Sequence, residues 1–168
     1  DYSADFPLSV EVRHLSFFDK ATSEVAFNRL LMAHQVDRVI LDSRPLHSEL
    51  IDCNTTKATD IIDAQKKKPK LPLHVLATGN KPVIRYIGKM SLDDNRIFIQ
   101  SWLKTFNQWI EEGKTPYLYI HTADNAKIHD LAELWLKMLH EQLGYRPYNQ
   151  QNSPYQTEQQ NLAQGCLF

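Results

Sequence analysis

The stretch Leu8–His14 (LSVEVRH) decides how the rest of the chain is interpreted. Successive side chains of a β-strand point to opposite faces, so its apolar residues share one face while Glu11 and Arg13 share the other. A solvated sheet face would explain this pattern in an isolated strand. The neighbouring sequence argues against isolation.

A helical pattern over Thr22–His34 follows at once, and a second apolar run, Val36–Asp42, follows the helix. A strand–helix–strand order predicts parallel pairing, and parallel sheets are normally covered on both faces. Glu11 and Arg13 would then lie inside the protein. Buried charges are expensive unless they are paired, ligated or functional.

The same unit repeats along the chain. Apolar periodicity and turn residues predict two further strands and three further helices, with a long loop after the second strand. The predicted elements are strands Pro82–Ile87 and Pro116–His121, helices Thr59–Lys67, Ser91–Glu112 and Asp124–Leu143, an extended segment Leu73–Ala77 and the loop Ser43–Lys57. Residues 1–144 form the predicted domain, and the Gln- and Asn-rich residues 145–168 form a predicted irregular tail.

Length and composition indicate one globular domain. The chain has 168 residues, of which 42% are hydrophobic, and a formal net charge of -1, which favours neither nucleic acid nor membrane as a partner. No apolar run is long enough to span a bilayer. Cys53 and Cys166 form no metal motif or disulfide framework, which predicts a reducing, cytoplasmic setting. The start at Asp1 rather than Met suggests a fragment.

The predicted sheet is either an open doubly wound sheet or part of a barrel. No Gly-rich phosphate loop follows a strand, which argues against a nucleotide-binding sheet. Each strand carries polar residues on its second face, where a barrel lines its site near the carboxyl ends of the strands. In the second strand, Ile40 and Asp42 are predicted to face inward, while Val39 and Leu41 pack on helices. A full barrel needs about 250 residues, so this chain would hold about half of one.

Several separated strings resemble one known family. They are Val10-Glu11-Val12-Arg13-His14, Val39-Ile40-Leu41-Asp42-Ser43-Arg44-Pro45, Val83-Ile84-Arg85-Tyr86-Ile87-Gly88, Pro116-Tyr117-Leu118-Tyr119-Ile120-His121-Thr122, the polar run Asp63–Lys70 and the terminal Leu167-Phe168. In this order they resemble the C-terminal half of the YecE-like family, domain of unknown function 72. The resemblance implies a TIM-type (β/α) barrel of which this chain holds roughly the last four strands. It implies no particular activity and no catalytic residues.

The polar strand ends suggest chemistry on an anionic substrate. Glu11, His14, Asp42 and His121 are residue types that ligate divalent metals, and arginines hold phosphate oxygens through their guanidinium forks. A metal-assisted, phosphodiesterase-like hydrolase is the sharpest hypothesis, with a divalent metal as the candidate cofactor. The candidate catalytic residues are Glu11, Asp42 and His121, and the candidate substrate-binding residues are Arg13, His14, Arg44, Arg85 and Tyr119.

Three alternatives stay open. A metal-free site would use Glu11 or Asp42 as general base and arginines as anion clamps. An interior ion-pair lattice would merely satisfy buried charge, pairing Glu11 with Arg13 or Arg85 and Asp42 with Arg85. A non-catalytic module would bind a phosphorylated ligand or nucleic acid, for which the lysine-rich run Lys66–Lys70 is a candidate patch.

The expected partners follow from these alternatives. They are an anionic small molecule or nucleic acid, and either the missing N-terminal half of the barrel or a second copy of the chain. A half-barrel would leave strand edges and an apolar inner face uncovered, and both features recruit partners. No membrane partner is predicted.

Overall fold

A computed structural model of the chain describes residues 6–51 and 58–144. Its strands are β1 (Ser9–Val10), β2 (Asp37–Asp42), β3 (Val83–Ile87) and β4 (Tyr117–His121), and its helices are α1 (Thr22–Ala33), α2 (Arg44–His47), α3 (Ala58–Lys67), α4 (Arg96–Glu111) and α5 (Ile128–Leu143). Short 3-10 turns precede α1, α4 and α5. The predicted tail 145–168 lies outside the described residues, as do Cys53 and Cys166.

The four strands form one parallel sheet in the order β1-β2-β3-β4. Neighbouring strands are joined by crossover connections that contain helices, as parallel pairing requires. The predicted α/β class, the parallel pairing and the chain-order arrangement are confirmed. Among the described residues, β1 and β4 are the edges of this sheet.

The first strand is much shorter than the predicted Leu8–His14. β1 pairs with β2 at only two positions, Ser9 with Asp37 and Val10 with Arg38. Beyond Val10, the backbone leaves the ladder and continues toward the turn that starts at Leu15. Alternating hydrophobicity therefore located the strand but overestimated the length of its hydrogen-bonded part.

Helices cover one face of the sheet, which we call the helix-covered face. Ile40, Ile84 and Tyr86 from the strands pack there against aromatic side chains of α4 and α5, including Trp102 and Trp135. Tyr86 meets Trp135 edge to face with ring centroids 5.2 Å apart. The aromatic side chains of these helices thus form part of the core.

The prediction that Ile40 and Asp42 face inward, with Val39 and Leu41 on the helices, is wrong. In the β2–β3 register, Asp42 is paired with Tyr86, which belongs to the helix-covered core, and Leu41 is paired with Arg85. β2 is buried along nearly its whole length on both faces. Hydrophobicity therefore could not show which alternate residues face the helices.

The opposite face, which we call the open face, carries the pairs Val83–Tyr117 and Arg85–Tyr119. Tyr117 and Tyr119 are 44% and 56% exposed. Toward the carboxyl ends of the strands this face is covered by a small second cluster, formed by Leu41, Leu46, Leu71 and Ile87. The open face is consequently accessible at β4 and closed at β2.

The connection from β2 to β3 differs from prediction at two places. The start of the predicted loop Ser43–Lys57 forms the short helix α2, and the predicted extended segment Leu73–Ala77 joins no strand of the sheet. Past that segment, Thr78 donates its hydroxyl to the carbonyl of Val36 and accepts the amide of Arg38, both at 2.8 Å. These two bonds attach the connection to the beginning of β2.

No helix among residues 6–51 and 58–144 combines the length and the apolar character that crossing a membrane would require.

A buried ionic network links β2 to α1. The guanidinium of Arg38, only 1% exposed, donates to Glu24 at 3.1 Å, to Asn28 at 2.8 Å and to the carbonyl of Phe17 at 2.7 Å. Glu24 also contacts His74 at 2.5 Å. A buried charge with this many partners holds α1 against the sheet.

We expect Arg38→Met to lower the free energy of unfolding by about 3–5 kcal/mol, because it leaves Glu24 charged and buried without its main cation. Urea denaturation followed by circular dichroism measures the change. Lys67→Met is the control, because the Lys67–Asp63 pair is 70% and 55% exposed and such pairs contribute less than about 1 kcal/mol. Equal effects of the two substitutions would contradict a structural role for the Arg38 network.

Candidate functional site

The open face carries an ion-pair group built on Glu11. The Glu11 carboxylate accepts a 2.7 Å hydrogen bond from Nε of Arg13 and a short one from Nη1 of Arg85. Arg85 and Glu11 are partly buried, whereas the Arg13 side chain is 57% exposed. Both pairings of Glu11 that the sequence suggested are present together.

The Glu11–Arg85 contact bridges two strands that are not neighbours. β2 lies between β1 and β3, so the two backbones are about 10 Å apart at the usual strand spacing. Only long side chains can meet across that distance. On β2 the residue paired with Arg85 is the aliphatic Leu41.

Glu11 is held in its ionised form. Burial raises the pKa of Glu11, but the hydrogen bonds and charges of Arg85 and Arg13 outweigh burial and bring the pKa below its ordinary value. Glu11 therefore acts as a fixed negative charge at neutral pH. It orients Arg85 and offsets part of its charge.

His121 ends β4 and lies near the same group of charges. Its pKa is lowered by burial and by the positive charges of Arg85 and Lys68, against a smaller opposing effect of Glu11. The imidazole is thus neutral at pH 7 and able to accept a proton. Tyr119, two residues earlier on the same face, is paired with Arg85 in the register and is solvent-accessible.

We call this group the open-face site. It consists of Glu11, Arg13, Lys68, Arg85, Tyr119 and His121. Two arginines contact the single carboxylate of Glu11, and the charge of Lys68 acts on His121, so the site has an excess of positive charge. Partly buried, pre-oriented guanidinium groups are suited to binding carboxylate or phosphate oxygens.

The structure does not bring Asp42 to this site. Asp42 is fully buried on the helix-covered face, where its Oδ2 accepts the indole N–H of Trp102 at 2.8 Å. Its other partner is Arg44, which donates from Nε and Nη2 at 2.9 and 2.8 Å. The predicted pairing of Asp42 with Arg85 is wrong, because the two residues lie on opposite faces of the sheet.

Arg44 and His14 also lie apart from the open-face ion pairs. Arg44 begins α2, and its guanidinium carbon lies 5.7 Å from the ring centroid of Phe98. His14 precedes the turn before α1, where its Nδ1 accepts the backbone amide of Ser16 at 3.3 Å. The predicted set thus separates into Glu11, Arg13, Arg85, Tyr119 and His121 on the open face and three residues elsewhere.

The candidate metal ligands do not converge in the part of the chain that the structure describes. No group of three or more His, Cys, Asp or Glu side chains lies close enough there to hold a metal ion together. Glu11 and His121 share the open face, but Asp42 is behind the sheet and His14 caps a turn. Metal binding stays a prediction of the sequence.

Sequence reasoning missed Lys68 as a neighbour of His121. Lys68 belongs to the lysine-rich run, which was identified only as a separate candidate patch. Its approach to β4 depends on how α3 folds back over the carboxyl ends of the strands. Nothing in local periodicity carries that information.

These features define a parallel α/β protein with the long helices α4 and α5 packed on one sheet face and a cationic site on the other. The chain belongs to the family described as protein of unknown function DUF72, which it matches over residues 1–157. It is 43% identical over 132 residues to the UPF0759 protein YecE of Escherichia coli K12, and 42% identical over 132 residues to that of Escherichia coli O157:H7. Each match covers 78% of this chain and 46% of the relative, so the chain spans about half the length of these curated relatives. No solved structure matches the chain.

The lowered pKa of His121 predicts a pH-dependent stability. The unfolded chain binds the proton near the ordinary pKa of 6.5, more readily than the folded chain, so the free energy of unfolding should fall as the pH drops below about 6.5. In His121→Asn, the free energy of unfolding measured by urea titration should depend less on pH between pH 7.5 and 5. Lys68→Gln should reduce this dependence partly, because it removes one repelling charge. An NMR titration that gives His121 an ordinary or raised pKa would contradict the electrostatic description of the site.

Proposed function

We propose that the open-face site binds an anionic group, such as a phosphate, of a small-molecule substrate. The observation that carries this proposal is the arrangement of Arg85. Its guanidinium is partly buried, is oriented by Glu11, and stands among more positive than negative charges. A pre-oriented, partly desolvated guanidinium binds an oxyanion more strongly than a mobile surface arginine does.

The same geometry supports hydrolysis of the bound anion. A neutral His121 is the proposed general base: it accepts a proton from the water whose oxygen bonds to phosphorus, while the P–O ester bond breaks and the alcohol leaves as an oxyanion that solvent protonates. Arg85 would stabilise negative charge that develops on the substrate. Glu11, held ionised, is then a positioning residue for Arg85 rather than an acid. The proposal assigns no step to a metal ion.

A non-catalytic module for a phosphorylated ligand or nucleic acid is the second candidate. It is favoured by Lys66, Lys68 and Lys70, for which the described residues supply no ion-pair partner. A binding module would need this positive surface and Arg85, but not a neutral His121. Substitution of His121 therefore separates the two candidates.

We expect Arg85→Met to weaken binding of inorganic phosphate at least about tenfold, which corresponds to the loss of about one charge-assisted hydrogen bond. Isothermal titration calorimetry measures the affinity. Arg96→Met is the matched control, because Arg96 forms an exposed ion pair with Asp93 away from the open face. For hydrolysis, His121→Gln should abolish turnover of bis(4-nitrophenyl) phosphate while phosphate affinity stays within about twofold.

Two results would contradict these proposals. If Arg85→Met and Arg96→Met change phosphate affinity equally, the open-face site is not the anion site. If the wild-type protein binds phosphate but turns over no phosphodiester, and His121→Gln leaves the affinity unchanged, the binding module is the better description.

We also infer that the sheet is part of a TIM-type (β/α) barrel. Four parallel strands in chain order, the long helices α4 and α5 on one face and charged or exposed aromatic residues on the other support this inference. The length of the curated relatives, about twice the part that is matched, agrees with further strands. In such a barrel the open face is the interior, and the site lies at the carboxyl ends of the strands.

Uncovered strand edges and an exposed Tyr117–Tyr119 surface should lead the 168-residue chain to associate with itself or with a complementary segment. Sedimentation velocity at micromolar concentration tests this expectation, and species larger than a monomer are the expected result. Tyr119→Lys should shift the distribution toward monomer by placing charge on the exposed surface. A monodisperse wild-type monomer with cooperative unfolding would contradict the half-barrel inference.

A further inference from the structure

A second cationic pocket opens beside α2. It has a volume of about 250 Å³ and is lined by Ser43, Arg44, His47, Ser48, Lys70 and Leu71. We call it the α2 pocket. It begins where β2 ends, and its cations are Arg44 and Lys70, because Ser43, His47 and Ser48 donate to backbone carbonyls.

Arg44 is held in place at this pocket by the protein core. Asp42 accepts two hydrogen bonds from its side chain, and Asp42 is itself fixed by the indole of Trp102. The guanidinium also lies over the ring of Phe98. Asp42 occupies Nε and one hydrogen of Nη2, so the remaining N–H groups of this partly exposed side chain are available to an anion.

The segment Lys68-Pro69-Lys70 is anchored between the α2 pocket and the open-face site. His47 Nε2 donates to the carbonyl of Lys68 at 3.1 Å, and Ser43 Oγ donates to the carbonyl of Pro69 at 2.8 Å. A freely solvated lysine loop would leave both carbonyls to water. The two anchored carbonyls instead fix the backbone from which Lys68 and Lys70 extend.

The two lysines serve different sites. The charge of Lys68 acts on His121 of the open-face site, whereas Lys70 lines the α2 pocket with Arg44. The described residues provide no carboxylate within ion-pair distance of either lysine, although the neighbouring Lys67 pairs with Asp63. Two residues span at most about 7 Å of backbone, so the Cα atoms of the two lysines lie close together.

We propose that the open-face site and the α2 pocket are two subsites for one ligand that carries two phosphate-like groups. This inference rests on the proposed anion binding at the open-face site and adds the chemical class of the ligand. One phosphate is bound by Arg85 and Lys68, and the other is bound by Arg44 and Lys70. Joining both phosphates in one molecule makes the second contact intramolecular, which raises affinity beyond that of a single phosphate.

The test compares inorganic phosphate, a sugar bisphosphate and a 5′-phosphorylated tetranucleotide by calorimetry at fixed ionic strength. The wild-type protein should bind one of the two larger ligands at least about tenfold more tightly than phosphate. Lys70→Gln should remove most of that gain and leave the affinity for inorganic phosphate at the open-face site unchanged. Lys137→Gln is the matched control, since this exposed lysine of α5 lines neither subsite.

The outcomes separate the two levels of the proposal. Phosphate binding that depends on Arg85, without any gain from a second phosphate, overturns the second subsite and leaves the proposed function standing. Equal weakening by Lys137→Gln and Lys70→Gln overturns the second subsite in favour of diffuse electrostatic attraction. No binding of any of the three probes overturns both. Which larger ligand shows the gain decides between a small bisphosphate and a phosphodiester chain.

Discussion

The parallel register between β2 and β3 is the constraint on which the rest of the structure depends. It pairs Leu41 with Arg85 and Asp42 with Tyr86, and thereby assigns the first pair to the open face and the second to the helix-covered face. A shift of one residue would exchange the two faces. Arg85 would then enter the aromatic core, and no site could form around Glu11.

Charge balance on the open face explains why its two titratable groups behave in opposite ways. Glu11 touches two arginines and stays ionised, whereas His121 lies among cations and loses its proton. The same surplus of positive charge has both effects. A bound anion would reduce that surplus and favour protonation of His121, so ligand binding and proton uptake are linked at this site.

The main features of the fold could be predicted from the sequence, because the helices of this chain are amphipathic and its strands are short apolar runs between them. The side of β2 that faces the helices could not be predicted, because Val39–Leu41 is apolar on both sides and the following Asp42 is buried. Glu24, Arg38 and Asn95 were missed for a related reason. They are buried polar residues whose hydrogen-bond partners lie far along the chain or in a loop. Hydrophobic periodicity does not indicate such partners.

Asp42 lies on the face opposite to the predicted one for a physical reason. A carboxylate at the end of β2 was expected to work on the open face, yet it accepts bonds from the core indole of Trp102 and from Arg44 at once. Burial of a charge in that position is tolerated because both carboxylate oxygens are satisfied. The consequence is a rigid path from the aromatic core to the α2 pocket, in which α4 sets the position of Asp42 and Asp42 sets the orientation of Arg44. Residues on the helix-covered face therefore shape the carboxyl end of the sheet without facing it. Asp42 influences chemistry there by orienting Arg44, and not by contacting the open-face site.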